Sequence, residues 1–154
     1  MRPAILIAVL LPAGTLHADQ LHAFEICRSD TVVRIISRFE QDQQDLMALR
    51  ASFYEQKRMK DFPIAETLLS FADWVKSVSL ALNVMCEIRP ANPTQEQIAA
   101  FWAYVKVVRP ELVRIEGRIS AMLTNDEMPT AARDEARHLR EDIRAFDDWL
   151  AKAE

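Results

Sequence analysis

Cys27 and Cys86 have the best-defined chemistry in this chain: they are its only thiols, and two thiols allow a single pairing. Whether they oxidise depends on the compartment, which the first eighteen residues address. Met1-Arg2 is a short basic start and Ala4 to Leu11 an unbroken apolar run. Pro12 and Gly14 end the run, and Leu16-His17-Ala18 precedes the polar Asp19-Gln20. That order predicts a secretory signal peptide over residues 1–18, with Leu21-His22-Ala23 as a second, weaker cleavage stop. The apolar run falls far short of the roughly 20 residues that cross a bilayer, so no membrane span is expected in the mature chain. A periplasmic or secreted protein keeps disulfides, and the expectation is Cys27 bonded to Cys86. The midpoint between them lies near residue 57, in the polar stretch Glu55 to Asp61. A helical hairpin turning there brings the two sulfurs to the same height, roughly 40 Å up its arms. A lipid anchor at Cys27 is disfavoured because Phe24-Glu25-Ile26 before it are not small.

The other reactive side chains are sparse. After the leader only His22 and His138 remain. There is no Cys-x-x-Cys-His for covalent haem and no Glu-x-x-His pair for a di-iron centre, so no metal or cofactor is expected. His138, four residues after Asp134, reads as a solvated partner on a helix surface. The run Glu40-Gln41-Asp42-Gln43-Gln44-Asp45 interrupts an apolar stripe in mid-helix. On a continuous helix Asp42 or Gln43 points inward, toward Lys106, Arg109 or Arg114, and could line a small polar cavity. The preferred reading is plainer: this stretch faces water where two helices splay.

The elements that must position these residues follow from spacing. Val32, Ile35, Phe39, Leu46, Leu49 and Phe53 keep a 3-4 stripe, and Leu68, Phe71, Val75, Val78, Leu82 and Met85 a second. Ile98, Phe101, Val105, Val108, Leu112, Ile115, Ile119 and Met122 form a third, and Ala132, Ala136, Leu139, Ile143, Phe146 and Leu150 a fourth. Four such stripes predict an all-α, four-helix-bundle-like single domain over residues 19–154, after a cleaved signal peptide. Two glycines in the whole chain leave too few tight turns for a β-rich fold. Breaks are expected at Asp61-Phe62-Pro63, at Arg89-Pro90-Ala91-Asn92-Pro93, and at Thr124-Asn125-Asp126 before Pro129. Thr94 and Gln97 form a capping box, and the third stripe stays in phase through Pro110, which predicts a kinked but continuous helix. Net charge is −4, and the leader holds only one charge, Arg2, so the mature chain is more acidic still. An acidic chain without a basic run argues against nucleic acid and anionic membrane as partners.

Lys57 followed by Pro63-Ile64, and the segment Arg109-Pro110-Glu111-Leu112-Val113-Arg114-Ile115, resemble two motifs of the secreted, all-helical chorismate mutases. In that family the lysine and arginine hold the carboxylates and ether oxygen of chorismate while it rearranges to prephenate. The resemblance implies those roles for Lys57 and Arg109, with Arg50 standing in for a second arginine and Glu66 for a following acid. Where the family carries that arginine this chain has Leu46, and where it carries an Arg-Glu pair this chain has Leu69-Ser70. An arginine missing from a dianion site leaves a carboxylate desolvated and unmatched.

The expectation is an exported helical-bundle binding or accessory protein that is not an enzyme, recognising a protein partner or a small anionic ligand. The alternative is a mutase-like enzyme working through Lys57, Arg109, Arg50 and Glu66. Trp74, Trp102 and Trp149 flank the stripes and are expected to broaden the core; one exposed on the outside would mark a partner surface.

Overall fold

The computed structural model describes residues 25–28, 30–87 and 94–152; the predicted leader, His22 and the Arg89 to Pro93 break lie outside them. A short 3-10 turn, Glu25–Arg28, precedes four helices: α1 (Thr31–Glu55), α2 (Phe62–Glu87), α3 (Gln95–Leu123) and α4 (Thr130–Ala151). No strand occurs among the described residues, and the fold is the all-α bundle that the stripes predict. Phe39, Leu46, Leu68, Leu82, Phe101, Leu112, Leu139 and Phe146 are all fully buried between the helices. Edge-to-face contact of Phe39 with Phe146, and stacking of Phe146 on the buried Trp149, knit α1 to the end of α4. Trp74 and Trp102 are half-buried against the same core.

The helix ends are chemically specified. Thr94 Oγ1 accepts from Gln97 N–H and Gln97 Oε1 from Thr94 N–H, which is the predicted capping box of α3. The helix then runs unbroken through Pro110 to Leu123. From α4, Arg133 donates to the helix's last carbonyl, Leu123 O, and to Asn125 O in the loop that follows. α1 ends differently. Lys57 N–H donates to Tyr54 O and Arg58 N–H to Phe53 O, with Lys57 at φ 56°. That is a Schellman motif with lysine where glycine is usual, and Arg58 lies over the Phe53 ring to complete it.

The predicted disulfide joins Cys27 to Cys86, with a Cα–Cα distance of 5.2 Å. Cys27 sits on the 3-10 turn and not within α1, so the bond ties the chain just before the first helix to the far end of the second. A disulfide is compatible with an oxidising, exported location.

Packing is uneven. α1 lies close against both α2 and α4, α4 lies close against α3, and α2 and α3 stand further apart. Bulky side chains hold that last pair at a distance: Tyr104 of α3 donates to Val78 O of α2, and Arg118 of α3 lies over the Phe71 ring of α2. α2 is the one described helix long and apolar enough to cross a membrane by length and composition. Here its apolar side is spent on the core, through Leu68, Ala72, Val75 and Leu82.

Candidate functional site

The residues singled out by the chorismate mutase resemblance fall into separate places. Arg50 of α1 donates to Glu66 of α2 at 2.8 Å, so these two meet each other. Arg109 lies midway along α3, roughly 20 Å from either helix end, and donates through Nε to Asp147 of α4 at 2.9 Å. Lys57 is exposed on the α1–α2 turn, at one end of the bundle. Arg114 is held by Glu111 on its own helix. His138 is exposed and faces Glu135 at 4.0 Å, while Asp134, its expected partner, pairs with Arg137.

Asp42 overturns the preferred reading of the polar run. It is buried, 6% exposed, at a core-facing turn of α1 between Phe39 and Leu46. Gln43 turns the other way, donating to Asp73 and accepting from Lys76 of α2. None of Lys106, Arg109 or Arg114 meets Asp42, because the helix opposite it is α4 and not α3. The groups around it are Asp142 and Glu135 of α4, and Asp45 and Arg38 of α1. Burial first, and then those three carboxylates, push the Asp42 carboxyl up to about 7; Arg38 opposes them but is itself bonded to Asp142 at 3.1 Å. Burial also raises Glu135 and Asp142. Asp42 Oδ2 has no hydrogen-bond partner, which is what a protonated, neutral carboxyl tolerates better than a carboxylate. Among the described residues no group of His, Cys, Asp and Glu is arranged to hold a metal ion.

Two clefts among the described residues are of a size to matter. One, of about 260 Å³, lies between α3 and α4 over Leu112 and Ile143. Of the charges on its rim, Glu116 is paired with Arg144 and Asp147 with Arg109 of the same helix pair, while Asp148 lies exposed beside them. An anionic ligand there has to displace the Glu116 carboxylate from Arg144. The other is a groove of about 440 Å³ between the start of α2 and the end of α3, lined by Pro63, Ile64, Thr67, Arg118, Ala121 and Met122. A smaller hollow of about 60 Å³ adjoins it, sharing Ile64 and Met122 and reaching Asn125 and Met128. The groove exists because α2 and α3 are held apart, so their facing apolar side chains do not close on each other.

Comparison with known protein families, with characterised proteins and with solved structures finds no match to this chain. The site stands on its own residues. Arg118 is the functional candidate that stripe reading passes over, although its neighbours offered a signal. Arg114, Ile115, Ala121 and Met122 occupy the positions three and four residues away, and none of them is acidic. A helix cation without an intrahelical partner, beside an apolar stripe, is readable before any fold is known.

Proposed function

We propose that this chain is an exported helical-bundle binding protein that catalyses no reaction and takes its ligand in the α2–α3 groove. The observation that carries the reading is the groove itself: an apolar-walled cleft of ligand size, flanked by methionines, whose side chains adapt to varied apolar shapes. The leader-like start and the Cys27–Cys86 bond support a periplasmic or secreted location. The competing mutase-like reading needs Lys57, Arg109 and Arg50 to converge on one dianion. Glu66 already holds Arg50, Asp147 already holds Arg109, and Lys57 stands at the bundle end.

Two measurements on the purified, disulfide-bonded protein separate these readings. Titration with the neutral fluorophore N-phenyl-1-naphthylamine is expected to give saturable enhancement, abolished by Ala121→Trp, which fills the groove from an exposed position of α3. Incubation with chorismate is expected to leave it unconsumed beyond the buffer rate. Consumption that disappears in Lys57→Ala overturns the binding reading in favour of the enzyme.

A further inference from the structure

We propose that the α2–α3 groove is selective for a small amphiphilic carboxylate, its headgroup on the Arg118 guanidinium and its apolar chain along Ile64, Met122 and Met128. This rests on the groove being the binding site and adds the chemistry of what fills it.

The charge pattern around Arg118 leads to this assignment. Arg50, Arg58, Arg109, Arg114 and Arg144 each hold a carboxylate of the protein. Arg118 holds none among the described residues. Glu111, the acid whose ionisation it favours through space, is bonded to Arg114. The Arg118 guanidinium carbon lies 4.7 Å from the centroid of the Phe71 ring. Held over that ring and bonded to no carboxylate among the described residues, the guanidinium keeps N–H donors for a ligand, and arginine takes a carboxylate by two parallel hydrogen bonds. The cation also lines the groove, so an anion bound to it has the apolar walls beside it.

The rest of the larger groove offers little to a second polar group, and Asn125 in the adjoining hollow has its Oδ1 taken by Glu127 N–H. The Thr67 hydroxyl is turned onto Pro63 O at 2.8 Å, and Pro63, Ile64, Ala121 and Met122 offer no side-chain donor. One charged head and an apolar remainder is the ligand this lining matches. Direction follows as well. Past Leu123 the chain enters the α3–α4 loop, which carries Asp126 and Glu127. These repel an anionic head and leave it at the Arg118 end. From Arg118 to Asn125 is roughly 10 Å along α3, the reach of a medium-length alkyl or compact aromatic chain.

The test displaces N-phenyl-1-naphthylamine from the disulfide-bonded protein with decanoate and, separately, with decanol, which has the same chain and no charge. Decanoate is expected to compete about tenfold better than decanol, the scale of one charge-assisted pair. Arg118→Gln is expected to erase that advantage while leaving decanol unchanged, with unaltered helicity because the residue is exposed. Decanoate competing equally well against Arg118→Gln, or no better than decanol against the parent protein, overturns the carboxylate assignment and leaves the groove as an apolar site. If the fluorophore itself is not bound, or is bound equally by Ala121→Trp, the groove reading falls and this inference with it.

Discussion

Asp42 occupies a position that a leucine would fill, and its ionisation is the most consequential single protonation described in this protein. Its carboxyl sits near 7 in the fold against an ordinary 3.8, so the folded chain holds that proton more tightly than the unfolded chain does. The associated stability is complete below about pH 4, declines as pH rises toward 7 and is gone above it; at about 1.4 kcal/mol per pK unit it amounts to at most about 4 kcal/mol. Asp42→Asn keeps the shape and removes the charge. It is expected to raise unfolding free energy at pH 8 by about 1–3 kcal/mol, less than the full amount because a buried amide also lacks a partner, and to change little at pH 4. Urea unfolding at the two pH values checks this; an equal effect at both contradicts it. Lys57 is the other residue under local constraint. Its left-handed backbone closes the Schellman motif at a conformational cost that glycine does not carry. Lys57→Gly is expected to stabilise the protein by about 1 kcal/mol, and Lys57→Ala to leave stability nearly unchanged, both read from urea midpoints.

Among the elements, the α1–α2 hairpin is fixed at both ends, by the Lys57 turn and by the Cys27–Cys86 bond. Both cysteines are expected to be unreactive toward a thiol reagent until a reductant is added. Reduction is expected to lower stability by about 2–4 kcal/mol while the far-ultraviolet signature of helix persists, since the four buried stripes remain. Free thiols found by mass spectrometry in protein prepared without reductant contradict the bond. This hairpin was legible in the sequence because its turn is polar and its cysteines lie symmetrically about it. The start of α3 was legible because Thr94 and Gln97 carry their own hydrogen bonds. The surroundings of Asp42 were not. A stripe with a gap tells which way Asp42 points, but no single helix encodes which neighbour lies opposite, and α4 stands where α3 was expected. The groove was hidden for a related reason: periodicity marks the facing sides of α2 and α3, while the distance between them is set by the Tyr104 bond to Val78 O and by Arg118 lying over Phe71.

At the scale of the whole molecule, most of the ion pairs among the described residues lie on the surface, while Arg118, which holds no carboxylate there, lines a cleft. That division is consistent with the binding role proposed for the groove. The disulfide has a further consequence for the molecule as a physical object. Because Cys27 lies just before α1 and Cys86 at the end of α2, the bond closes 59 residues of sequence separation into a covalent ring that contains the whole first hairpin. A load applied to the two ends of the chain crosses from one side of that ring to the other through sulfur, and α1 and α2 carry none of it. Mechanical stretching of the oxidised protein therefore draws out α3 and α4 alone. The chain falls short of its reduced length by roughly 200 Å, at about 3.4 Å for each residue the ring withholds.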